Sequence, residues 1–164
     1  MDTAQGLALI AATVTTGLVS GLFYGYACSV MLALRGTADR TFIEMMQRIN
    51  VAILNGWFVL GYVGALLFTV VALGLQLADG WTDAAGPTVA ALVCYLAAMA
   101  VTSRVNIPLN NALEKAGPPE RITEPHTVRR HFEGPWVRWN VVRAVLCSGA
   151  LVLLCWSLIL HGAG

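Results

Sequence analysis

Trp136, Trp139, Asn140 and Arg143 stand at i, i+3, i+4 and i+7. At about 100° per residue this spacing places them on one helical face, which Cys147 continues. A guanidinium there can meet an anion inside the bundle, or snorkel to headgroups beside an ordinary interfacial belt of tryptophans. Such a cation is costly inside an apolar span and normally faces a bundle interior or a wet cavity. Arg104, Asn106, Pro108 and Asn110 close the preceding apolar stretch, with the two asparagines one turn apart. Pro108 has no N–H, so the Arg104 carbonyl loses its helical partner. Gln47, Asn50 and Asn55 open the second stretch, and Tyr24, Tyr26, Ser29 and Met31 end the first. Asn50 and Asn55 lie about 140° apart on a helical wheel and do not face one point. Two readings fit this layer: a network that satisfies buried amides, or a polar pocket at one end of a bundle. Every apolar stretch contributes to the layer while the opposite half is nearly featureless, and that asymmetry favours the pocket.

Other chemistry is more weakly signalled. His126, His131 and Glu133 form H-x4-H-x-E, but zinc takes three or four ligands and no Cys or Asp is near in sequence. These histidines read as loop residues or as part of a lid. His161 stands alone at the far end. Cys28, Cys94, Cys147 and Cys155 contain no C-x-x-C pair; they read as small hydrophobes, which weighs against a quinone reductase of the vitamin-K type. No Asp or Glu falls inside an apolar stretch, against the habit of proton-coupled transporters. Neither a Gly-rich phosphate cradle nor a Ser/His/Asp order is present.

The elements that must position the layer are membrane spans. The composition is 57% hydrophobic and 12% charged, far from the roughly 25% charged residues of soluble domains. Four segments, about 7–34, 51–77, 87–105 and 139–160, hold the roughly 20 apolar residues that a crossing needs. All ten Lys and Arg lie in 35–48 and 104–143, each after an odd-numbered stretch. Basic loops stay cytoplasmic, so the chain is expected to be a single all-α domain over 1–164. It is an integral membrane four-helix bundle in the cell membrane, with both termini extracytoplasmic and cytoplasmic loops at 35–50 and 106–138. Met1 to Gln5 carry no basic residue, so the first stretch reads as a retained helix rather than a cleaved signal. Residues 37–50 suit a short amphipathic helix before the second span, with Glu44 and Arg48 paired on its wet side. Gly17, Gly21 and Gly25 suggest a small-residue groove for helix packing. Asp79-Gly80-Trp81-Thr82-Asp83 reads as an outer turn, and Gly117-Pro118-Pro119 as a break within a cytoplasmic loop. Six of the nine acids share the basic segments, which argues against nucleic-acid binding.

Several of these motifs carry a resemblance: the run from Phe23-Tyr24-Gly25-Tyr26 to Leu34, Met46-Gln47-Arg48-Ile49-Asn50, Asn55-Gly56-Trp57-Phe58, Asn106-Ile107-Pro108-Leu109-Asn110, and Trp136-x-x-Trp139-Asn140-x-x-Arg143. In this order they resemble the anthrone oxygenase-like membrane family, formerly a domain of unknown function. Leu32 and Gly56 occupy positions where that family often has proline. The resemblance implies a four-helix membrane protein. It also implies oxidation of an anthrone, or a related hydroxylated polycyclic aromatic, by O2 to a quinone without metal or flavin.

On that footing Arg143 is expected to meet the developing oxyanion, with Asn106, Asn110 and Asn140 orienting ring oxygens. Trp136, Trp139 and Tyr24 would stack on the polycycle, and Asn50 and Arg104 complete the substrate-binding set. His126 and His131 stand as candidate bases. O2 is the co-substrate, and no cofactor is called for, although the sequence leaves room for haem or quinone. The other class of function is a non-catalytic membrane protein that binds lipid, a small hydrophobic aromatic ligand or a partner helix, with self-association open.

Overall fold

The computed structural model describes residues 3–78 and 80–163; Asp79 of the expected outer turn lies outside them. Among the described residues, four helices are long and apolar enough to cross a membrane: α1 (Thr3–Arg35), α3 (Gly56–Ala78), α4 (Ala85–Lys115) and α5 (Pro125–Ala163). The amphipathic α2 (Asp39–Ala52) lies between the first two. No strand occurs among the described residues.

Sequential neighbours pack: α1 on α3 and α5, α4 on α5, and α3 more lightly on α4. The result is a four-membered ring of helices whose core is built of small residues, among them Ala12, Ala65, Ala72, Ala91, Ala98 and Ala150. Small side chains let backbones approach where no water drives association. Gly61 lies against Val19 and Gly64 against Thr15, so glycines of α3 make the α1–α3 contact. The expected groove on α1 does not do this: only Gly17 faces a neighbour, Leu151, and a Cβ at Gly21 or Gly25 would meet nothing within 4 Å. Inter-helix hydrogen bonds join hydroxyls, Ser20 to Ser148 at 2.9 Å and Thr88 to Ser157 at 2.9 Å.

Three expected boundaries shift. The second crossing begins at Gly56 rather than 51, because α2 runs on to Ala52 and the chain turns at Ile53–Asn55. Asn55 caps the new helix, its Oδ1 accepting from the N–H groups of Trp57 at 3.0 Å and Phe58 at 3.1 Å. The segment 106–138, expected as a loop, is mostly helix; α4 and α5 reach into it, and only about 116–124 connects them. Pro135 therefore sits inside α5.

With 39 residues, α5 extends about 58 Å at 1.5 Å per residue, near twice a hydrocarbon layer of about 30 Å. The surplus of α1, α4 and α5 projects at the basic end and forms a second core with α2, around Phe42, Ile43, Met46, Leu113 and Phe132. Arg129 ties that end together. Its Nη1 donates to the Thr37 carbonyl at 2.7 Å and to Asp39 at 3.1 Å, Nη2 donates to the Arg35 carbonyl at 2.9 Å, and Nε donates to Glu133 at 2.7 Å. The guanidinium also covers the Phe42 ring at 4.5 Å. Glu44 and Arg48 form the expected pair at 2.7 Å.

Candidate functional site

Both α1 and α4 change winding at the level where the two cores meet. Five-residue π turns, Tyr26–Val30 and Thr102–Asn106, interrupt them. In each, an N–H reaches back five residues, Met31 to Tyr26 and Ile107 to Thr102. The second turn has a cause in the sequence: Pro108 supplies no N–H to the preceding turn. Such insertions are frequent at functional sites because they re-aim side chains. Here Tyr26, Thr102 and Asn106 all line one cavity of about 500 Å³ between α1, the α2–α3 junction, α4 and α5.

Arg143 forms its inner wall. It is turned inward and only 5% exposed, with its guanidinium over the rings of Phe23 at 4.2 Å and Trp136 at 5.5 Å. Nη2 donates to Asn140 Oδ1 at 3.0 Å, Nη1 makes a long contact to Thr102 Oγ1 at 3.4 Å, and Nε has no partner. Among the described residues no carboxylate forms an ion pair with Arg143. Burying a cation without a counter-ion is expensive; ring faces and neutral acceptors offset part of that cost and leave its charge open to an anion.

Four asparagines of the cavity lining have different duties. Asn140 is a bracket, donating to the Phe23 carbonyl at 3.0 Å while accepting from Arg143. Asn110 accepts from Trp136 Nε1 at 2.8 Å and fixes that indole. Asn106 is 1% exposed, and neither its Oδ1 nor its Nδ2 has a partner; Asn50 Nδ2 is likewise buried and unpaired. An unmet buried polar group costs about 1–3 kcal/mol, so these amides are poised for a polar guest.

Of the residues singled out from sequence, Arg143, Asn106, Asn110, Asn140, Trp136 and Asn50 line the cavity. Tyr24, Trp139 and Arg104 do not. Tyr24 is 62% exposed; it stands two residues, about 200°, from Tyr26, which takes the inward place. Arg104 is separated from Asn106 by the same angle and is exposed. Trp139 is half-buried beside the face that Trp136, Asn140, Arg143 and Cys147 bury. His126 and His131 are exposed and off the cavity. His131 borders a separate hollow of about 250 Å³ and bonds the Thr127 carbonyl at 2.8 Å.

Sequence reasoning passed over Phe23, Phe58, Tyr62 and Glu114 on the lining. Nothing marks Tyr62 within a long apolar run, and Phe58 enters only as the end of the Asn55-Gly56-Trp57-Phe58 motif. Glu114 did carry a signal, since it follows Asn106 and Asn110 at i+8 and i+4. It is the one carboxylate among the lining residues. Among the described residues, no group of three or more His, Cys, Asp or Glu is arranged to hold a metal ion.

Compared with known proteins, residues 42–153 match the family model for anthrone oxygenase. No curated protein and no solved structure matches the chain.

Proposed function

The chain belongs to the anthrone oxygenase family, and from that premise we propose that it oxidises an anthrone-like hydroxylated polycyclic aromatic with O2. One observation carries this reading: the unpartnered, buried amide of Asn106 faces the same aromatic-walled cavity as the unpaired guanidinium of Arg143. A carbonyl or phenolate edge answers both groups, and a flat ring answers Trp136, Tyr26 and Phe23.

An anthrone C–H is acidic because the electron pair left behind spreads into the rings and onto the oxygen. Arg143 and Asn106 stabilise that charge as it develops, in the manner of an oxyanion hole. Asn140 and Asn110 act as positioning residues, one holding the guanidinium and the other the indole. Glu114 takes the proton. The rise of α4 sets it about 12 Å from Asn106 along the axis, so the transfer runs through water at the mouth. The carbanion adds O2, forming a C–O bond, and protonation gives a hydroperoxide. Loss of the second C–H proton with departure of hydroxide then leaves the new carbonyl. In balance, one CH2 and one O2 give one C=O and one water. In this reading the chemistry draws on no cofactor.

Purified protein supplied aerobically with anthrone should form anthraquinone faster than a heat-treated control. A rate equal to the control would remove the enzymatic reading and leave a membrane protein that only binds hydrophobic ligands.

A further inference from the structure

Arg104 marks a depth. It projects exposed from the outer side of α4, and a guanidinium on a lipid-facing surface reaches for headgroups. The stretch of α4 from Ala85 to Arg104 rises about 30 Å, which matches a hydrocarbon layer of about 30 Å. Asn106 and Ile107 then stand at the headgroup layer, with Asn110 and Glu114 about 9 and 15 Å beyond Arg104, on its wet side.

The cavity rim changes along α4, where Ile107, Asn111 and Glu114 stand at i, i+4 and i+7 on one face. Asn111 and Glu114, one and two turns toward the basic end, are polar and exposed. The side at the α2–α3 junction is apolar: Val51 and Leu54 are 68% and 74% exposed, and Ile107, first in the α4 row, is apolar and 45% exposed. The first residues of α3, Gly56, Trp57, Val59 and Leu60, are exposed as well, so the helix start leaves this side uncovered. Apolar side chains bared at the entrance of a polar-floored cavity suit a boundary with lipid.

Resting on the oxygenase reading, we propose that the cavity fills sideways from the bilayer interface, between Leu54 at the α2–α3 junction and Ile107 on α4. Its ligand is a membrane-partitioned aromatic that enters with its oxygen-bearing edge first, toward Asn106 and Arg143. A lipid chain carried on the opposite edge would trail into the bilayer through the same gap. Molecules confined to water meet only the polar rim.

Two probes separate the routes in reconstituted vesicles: an anthrone bearing a hexadecyl chain, which stays in lipid, and an anthrone sulfonate, which stays in water. The wild type should turn over the alkylated probe and leave the sulfonate nearly untouched. Leu54→Trp and Ile107→Trp, at exposed positions and with the wild-type melting temperature, should lower kcat/KM for the alkylated probe at least tenfold with kcat retained. Val59→Trp, exposed on α3 but off the cavity lining, should not. Turnover of the sulfonate with rejection of the alkylated probe overturns the lateral route while the oxygenase reading stands. Failure to oxidise either probe or plain anthrone removes the oxygenase reading, and the route with it.

Discussion

Arg143 and Asn106 differ from the other polar residues of the layer in what their neighbours leave them. Asn140, Asn110 and the Trp136 indole are spoken for by internal hydrogen bonds, whereas Asn106 and Arg143 Nε have none. Removing a donor aimed at a developing oxyanion costs about 10²–10³ in kcat, so Arg143→Ala should lose at least that much anthrone oxidation. Arg143→Lys should recover little, because an ammonium cannot lie flat over Phe23 while keeping the Asn140 bond. Steady-state kinetics of the two variants, with melting temperatures as the folding control, check this; a lysine variant near wild-type rate would contradict the role of the planar fork. Asn106→Ala should leave stability unchanged or slightly raised, since it deletes an unsatisfied buried amide, yet weaken turnover by tenfold or more. Asn110→Ala should instead loosen Trp136 and lower the melting temperature. Should both asparagine variants behave alike in melting and kinetics, their assigned duties are wrong.

At the scale of elements, the π turn before Pro108 is the device that sets Asn106. Pro108→Ala returns a donor N–H to that turn. The ladder can then close as an ordinary α-helix, which rotates Asn106 by up to about 100° away from the cavity. The expected result is a protein at least as thermostable as the wild type with anthrone oxidation reduced tenfold or more; full activity in a stable variant would show that the π turn is incidental. Arg129 works at the other junction, where one guanidinium ties the end of α1, the start of α2 and the body of α5. Arg129→Ala should destabilise the protein by about 2–3 kcal/mol, since it strands hydrogen-bonded carbonyls and carboxylates. Arg129→Lys should not restore the fork geometry. Thermal unfolding in detergent measures both, and a melting temperature unmoved in Arg129→Ala would remove this tie from the account.

For the molecule as a whole, much of the fold was legible because the bilayer imposes simple rules: length, apolarity, and basic residues gathered at one end. The face of Trp136, Asn140 and Arg143 was legible for the same reason, a fixed angle per residue. What escaped were features set by backbone irregularity and tertiary context. The π turn at Tyr26–Val30 has no proline to announce it, and nothing in the sequence says which of Tyr24 and Tyr26, about 200° apart, faces inward. Gly117-Pro118-Pro119 marks a real break, but the flanking polar segments are helical because α2 gives their apolar sides something to bury against. Arg129 lies in the segment expected as a loop, and its bonds to Arg35, Asp39 and Glu133 join three helices that only the tertiary fold brings together. Orientation is a separate matter. Gly6 faces His161, which puts the two ends of the described chain together, away from the basic end. The positive-inside rule makes a cytoplasmic basic end the expectation, under which a reporter fused after Gly164 should be active only in an extracytoplasmic form. A fusion active in the cytoplasm would reverse the assigned topology.

Oxygen uptake by the purified protein, followed together with quinone formation from anthrone, tests the central claim most directly. The account predicts one O2 consumed for each anthraquinone formed, and loss of both in an Arg143→Ala protein that melts like the wild type. Equal uptake by the wild type and that variant, or none above a heat-treated control, would contradict it.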